Sequence, residues 1–210
     1  MVYAQGVMKS QKWKSRKWNG AEGFSLTELV VTMAVALVLI GIGMPSFLRA
    51  YHSYQLTNAA SQLADILRLT RYEAIQRNVN TAENCVLKPD AGDPTITDAF
   101  ADTNGNGSPD PTEKIILLGN GGSLVAAGGV PGTAGLLTAA KITSAAIAAT
   151  PGNFAVGFDS RGALTSGNVT VFYLASGLAP EAGYRAVLLM PAGSIQVWSA
   201  DINGNWGQLR

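Results

Sequence analysis

The feature that most constrains this chain is the stretch at residues 29–45, which holds no charged side chain. With its flanks, residues 24–47 read FSLTELVVTMAVALVLIGIGMPSF, roughly 36 Å of α-helix at 1.5 Å per residue and enough to cross a bilayer. One acid, Glu28, stands just inside its N-terminal edge, directly after a basic leader. An ionised carboxylate at the margin of hydrocarbon is costly, so it needs a partner or a task there.

Residues 1–22 carry Lys9, Lys12, Lys14, Arg16 and Lys17 against one acid, Glu22, with Trp13 and Trp18 between them. The apolar run follows Gly23 directly, without the small-x-small cleavage site of a Sec signal. The cations place the N-terminus on the cytoplasmic side. Beyond residue 23, ten basic and thirteen acidic side chains remain, a balance of about −3 that does not point to nucleic acid through bulk charge. The length suits one domain with an accessory segment. Cys85 is the sole cysteine and His52 the sole histidine, which removes intrachain disulfides, Cys-based metal sites and His-containing triads.

Ser25-x-x-Glu28 reads as a capping box, in which both side chains satisfy N–H groups at a helix start. That is one account of Glu28. Gly41, Gly43 and Pro45 weaken the helix further along, because Pro45 supplies no N–H to the Gly41 carbonyl. Residues 48–78 continue as helix with a different character. Leu56, Ala59, Ala60, Leu63, Ile66, Leu67, Thr70 and Ala74 form one apolar stripe. Asp65 with Arg68 and Glu73 with Arg77 form pairs at i,i+3 and i,i+4.

After Asn78 the pattern becomes β. Short runs at residues 84–87, 114–118, 154–158, 169–174, 184–190 and 194–198, separated by Gly, Pro and Asn, predict an antiparallel two-layer β domain packed against the helix, an α+β fold. Residues 141–149 read as strand or helix, and the Gly- and Ala-rich residues 119–135 as a variable loop.

The sequence Gly23-Phe24-Ser25-Leu26-Thr27-Glu28, followed by the apolar run with Pro45 near its end, resembles the class III signal of type IV pilins and pseudopilins. Leu67-Arg68-Leu69-Thr70-Arg71-Tyr72-Glu73-Ala74-Ile75-Gln76-Arg77-Asn78 resembles the Ala-Arg-Ser-Glu-Ala-Ile-Lys-Arg block of GspH/FimT-type pseudopilins. The resemblance implies a type IV pilin-like fold in four parts: a leader at 1–23, a transmembrane and filament-core helix at 24–47, its amphipathic half at 48–80, and a periplasmic β-rich domain at 81–210. It further implies that a prepilin peptidase cuts between Gly23 and Phe24 and methylates Phe24. Glu28 would then pair with the N-terminal amine of a neighbouring subunit. The implied partners are other pilin or pseudopilin subunits and an inner-membrane assembly platform. The implied location is the bacterial inner membrane and then a type II secretion pseudopilus or a type IV pilus, with no catalysis.

Residues 102–113, DTNGNGSPDPTE, match the calcium-loop pattern D-x-[DN]-x-[DN]-G-x5-E at every specified position. Asp102, Asn104, Asn106, Asp110 and Glu113 would supply side-chain oxygens and Ser108 its carbonyl, with Gly107 at the sharp turn. Pro109 and non-helical flanks depart from an EF-hand, and the same residue types also make ordinary β-turns. Some FimT-type relatives carry a Gly-Arg-x-Arg element for DNA uptake; this chain has Gly193-Ser194-Ile195-Gln196, with isolated Arg161, Arg185 and Arg210. A DNA-binding minor pilin is therefore the alternative reading, with Trp198 and Trp206 as candidate stacking residues that edge packing on a sheet also explains. Gly119-Asn-Gly-Gly-Ser lacks the Lys-Ser/Thr ending of a phosphate loop, and Cys85 reads as a small core residue.

Overall fold

A computed structural model describes residues 23–78, 83–93, 95–119, 121–143 and 146–209; all of the expected leader 1–23 except Gly23, and Arg210, lie outside the described residues. The chain forms two compact units, one ending at Ile42 and the other beginning at Gly43. One helix, α1 (Leu26–Arg77), runs through both, with Pro45 inside it. In the first unit every described residue is exposed. The helix contains an 18-residue window of mean hydropathy 2.3, none of it buried, and is long and apolar enough to cross a membrane.

In the second unit the predicted stripe is the buried face of α1. Leu56, Ala60, Leu63, Ile66, Leu67, Thr70 and Ala74 are buried together with Ala64, while Ala59 lies at the rim. Full burial of Leu56, Leu63, Ile66 and Leu67 stabilises by about 1.5–3 kcal/mol each, as an upper estimate. Both predicted ion pairs form on the exposed face, Arg68 to Asp65 at 2.6 Å and Arg77 to Glu73 at 3.3 Å.

Two sheets receive this stripe. One has the order β3-β2-β1-β6, built from β1 (Glu83–Pro89), β2 (Thr97–Asp102), β3 (Ile115–Leu118) and β6 (Phe154–Phe158). The other has the order β10-β9-β8-β7-β4, built from β4 (Ser123–Val125), β7 (Val169–Ala175), β8 (Tyr184–Leu189), β9 (Ile195–Ala200) and β10 (Trp206–Gln208). A short β5 (Ala146–Ala148) lies parallel to β7; the other described pairs are antiparallel. Because side chains alternate across a strand, Cys85, Leu87, Ala99, Ala101, Phe172, Leu174, Val187 and Leu189 meet the α1 stripe in one core. The opposite face of the six-stranded sheet builds a second core, where Val171, Tyr173, Leu188 and Trp198 pack with Leu136 of a second helix, α2 (Thr133–Ala139).

The six β runs predicted from sequence form six of the strands, with ends shifted by one or two residues at most positions. Residues 119–135 are a correction. They contain β4, a 3-10 turn at Ala127–Gly129 and the start of α2. Their glycines serve close packing as well as turns: a Cβ on Gly122 would stand 2.6 Å from Ala59 Cβ of α1. Of residues 141–149, Ala146–Ala148 are strand.

Candidate functional site

The start of α1 is capped as the capping box requires of Ser25. The Glu28 N–H donates to Ser25 Oγ at 3.3 Å and the Leu29 N–H to the Ser25 carbonyl at 3.1 Å, while the Ser25 and Thr27 hydroxyls lie 2.6 Å apart. The reciprocal half is missing: among the described residues the Glu28 carboxylate has no hydrogen-bond or ion-pair partner. Gly23, Phe24 and Glu28 are all exposed, Phe24 at 78%. The cap therefore uses the Glu28 backbone and leaves its carboxylate available.

The loop at 102–113 joins β2 to β3, so strands flank it on both sides. Asp102, at the end of β2 and only 3% exposed, organises the first half. Its Oδ1 accepts the N–H groups of Gly105 (2.8 Å) and Asn106 (3.2 Å), and its Oδ2 that of Gly107 (2.8 Å). The Nδ2 groups of Asn104 and Asn106 both donate to Asp110 Oδ2, the latter at 2.9 Å. Glu113 closes the base, accepting the Thr103 N–H (2.9 Å) on Oε1 and the Asp110 N–H (3.2 Å) on Oε2. Lys88 ties the loop to the sheet, donating to the Gly107 carbonyl at 3.0 Å and lying 5.5 Å from the centroid of the Phe100 ring.

The side chains at motif positions three, five and nine thus meet, and positions one and twelve hold the ends together. The donors are the hard oxygens that a calcium ion takes. The three carboxylates themselves are engaged with amides. Among the described residues, no group of three or more His, Cys, Asp or Glu is placed to hold a metal ion.

The candidate nucleic-acid residues are scattered. Trp198 is buried in the second core, and Trp206 packs on Tyr173 with ring centroids 6.1 Å apart. Arg185 is buried against α1, whereas Arg161 is exposed. Cys85 is fully buried, and burial pushes its thiol pKa up to about 12, which makes it inert as a nucleophile at neutral pH. Sequence reading missed the two arginines that fix α1 to the sheets, Arg71 and Arg185, because their carbonyl and hydroxyl partners lie far away in sequence and carry no charge pattern.

A helix bare and apolar at its start, whose later stripe is buried by antiparallel sheets, defines a type IV pilin-like subunit. The sequence model of the family described as type II transport protein GspH matches residues 59–193, and the chain belongs to that family. Comparison with curated proteins gives no match. Among solved structures the chain is similar to the type IV minor pilin FimU of Pseudomonas aeruginosa strain PAO1 in two crystal forms. One shares 16% identity at a TM-score of 0.44, covering 69% of this chain and 88% of that one. The other shares 16% at 0.42, covering 68% and 91%.

Proposed function

We propose that this chain is a minor pilin-like subunit that acts by polymerisation in a type II secretion pseudopilus or a type IV pilus. A prepilin peptidase removes residues 1–23 and methylates Phe24. The apolar part of α1 anchors the precursor in the inner membrane and later joins the helical core of a filament, on the assembly platform, with the β-rich domain in the periplasm. Glu28 pairs with the Phe24 amine of a neighbour, since an amine and a carboxylate that are each costly in hydrocarbon become tolerable together. The observation that carries this reading is that Gly-Phe-Ser-Leu-Thr-Glu opens a helix whose residues are all exposed as far as Tyr51. So much apolar surface requires lipid or other helices to cover it. Mass spectrometry of the mature N-terminus tests it: a methylated Phe24 is expected, and an intact leader would overturn the reading.

Within this reading, residues 102–113 take calcium, which locks the β2–β3 loop and supplies no catalytic water. The support is the full sequence pattern and the meeting of Asn104, Asn106 and Asp110. A half-turn of each Asn amide presents oxygen where Nδ2 now lies. Asp102, Ser108 and Glu113 would complete the set.

A further inference from the structure

The two edges of the four-stranded sheet differ. The β6 edge is covered at its C-terminal end: Thr165 donates its N–H at 3.0 Å and its hydroxyl at 3.2 Å to the Gly157 carbonyl, and Phe158 bridges to Leu164. At β3, among the described residues, no strand or loop pairs with the outer edge. The register identifies the groups left over. Ile116 faces Ala99 and Leu118 faces Thr97, and the Ala101 N–H donates to the Lys114 carbonyl at 3.3 Å. Antiparallel alternation then turns Lys114, Ile116 and Leu118 toward β2, and the N–H and C=O of Ile115 and Leu117 outward.

This edge, Ile-Ile-Leu-Leu, has none of the inserted charges, prolines or bulges that usually guard an exposed strand. Leu117 is 61% and Ile115 39% exposed. The edge opens onto a cavity of about 660 Å³, walled by Asp65, Ile66 and Leu69 of α1 with Lys114 at the strand's start. We propose that an extended segment of a neighbouring pilin-like subunit adds to β3 as a further strand and lies between it and α1. Two outward N–H and C=O pairs recognise extended backbone, and Ile66, Leu69 and Ile116, set among the polar Gln62, Asp65 and Lys114, give its alternate side chains apolar contact. Lys114 calls for an acid in the incoming segment. The inference rests on the subunit reading, which sets other pilin-like subunits beside this one in a filament. A second copy is disfavoured: antiparallel β3 strands joined edge to edge would set the two α1 helices in opposite directions, whereas subunits of one filament share a direction.

Amide exchange of the full chain in detergent, alone and mixed with the purified pilin-like subunits of the same assembly system, tests this. The Ile115 and Leu117 amides slow only in the mixture. Leu117→Pro removes one outward N–H and spares the ladder to β2, and it weakens binding by about tenfold; Leu117→Lys keeps the backbone and weakens binding as well. Slowing in the chain alone that grows with concentration would assign the edge to a second copy and overturn the proposal. Co-purification of the subunits without slowing would overturn the edge and leave the subunit reading standing. Loss of co-purification together with an unprocessed N-terminus would sink both.

Discussion

Arg185 on β8 donates its Nε to Thr57 Oγ1 of α1 at 3.0 Å, across 128 residues of sequence. Its Nη2 reaches Ser53 Oγ at 2.8 Å and its Nη1 the Tyr184 carbonyl at 2.9 Å, while the Thr57 hydroxyl donates to the Ser53 carbonyl at 2.9 Å. Burial pushes the guanidinium pKa below its usual value, and among the described residues no acid pairs with it. This network fixes the sheet to the helix through neutral oxygens alone. Replacing Arg185 by Met, close in length, is expected to cost about 2–3 kcal/mol, and Thr57→Val about 1 kcal/mol. Because they share a hydrogen bond, the double variant should lose less than the sum. Denaturant titration checks both, and a change within a few tenths of a kcal/mol for Arg185→Met would remove the clamp.

A second arginine packs where Gly193 leaves no room for a side chain. Arg71 Nε donates to the Gly162 carbonyl at 2.9 Å, and its Nη2 to the Ala192 carbonyl at 3.3 Å. A Cβ on Gly193, whose φ is +79°, would stand 1.9 Å from that same Gly162 oxygen and 2.6 Å from Arg71 Nε. Gly193→Ala should cost about 3 kcal/mol or more, or prevent folding. Gly167→Ala, at φ +66° with nothing within 4 Å, should cost only about 1–2 kcal/mol. Equal losses at the two sites would mean that backbone strain, not the close approach of the Gly162 carbonyl and Arg71, sets the cost.

These contacts mark the limit of what the sequence conveys. The α1 stripe was legible because Leu56, Leu63 and Leu67 recur at helical spacing, and β7 and β8 because their apolar residues are dense, broken only by Thr170 and Arg185. β2 escaped because its inward positions are Ala99 and Ala101, small enough to lie under the helix, and its outward positions include Asp98 and Asp102, which read as polar loop. Gly122 read as part of a variable loop but packs closely against Ala59. At the N-terminus, the Ser25 cap was legible because it is local. The partners of Arg71 and Arg185 were not, because a carbonyl or hydroxyl accepts a hydrogen bond whatever the surrounding sequence.

Asp98 gives a pH dependence with a definite sign. Burial, and then the neighbouring Asp90 carboxylate, raise its pKa above the ordinary 3.8, with Lys88 opposing; its Oδ1 is buried without a hydrogen-bond partner. A carboxyl group whose pKa is raised on folding binds more protons in the native state. Its contribution is complete below the ordinary value and is lost as pH rises through the native one. Asp98→Asn should therefore gain in melting temperature relative to the wild type between about pH 4 and pH 7. A difference that stays constant over that range would contradict the raised value.

Calcium should act on the melting curve of the unaltered chain. An ion that binds only the native state stabilises by about 2.7 kcal/mol at a hundred times its dissociation constant. Calcium is expected to raise the melting temperature and a chelator to reverse the rise. Asp102→Ala should abolish the response and lower the baseline as well, because the Gly105, Asn106 and Gly107 amides lose their acceptor. The wild-type response is thus the decisive measurement, and identical curves with and without calcium would sink the assignment.

Glu28 separates helix initiation from assembly. Its N–H donates to Ser25 Oγ at 3.3 Å whatever the side chain, so Glu28→Ala should leave the start of α1 intact, whereas Ser25→Ala loses a cap worth about 1 kcal/mol. Hydropathy drives insertion, and losing one carboxylate makes the segment more apolar. Membrane insertion and leader cleavage should therefore persist in Glu28→Ala. If Glu28 pairs with a neighbour's amine as proposed, the variant lacks the anion that makes that amine tolerable in hydrocarbon, and filament incorporation should fall sharply. Fractionation for the membrane-bound, processed chain and immunoblotting of sheared filaments distinguish the steps. Normal incorporation of Glu28→Ala would show that the amine finds another partner and that this carboxylate has no part in assembly.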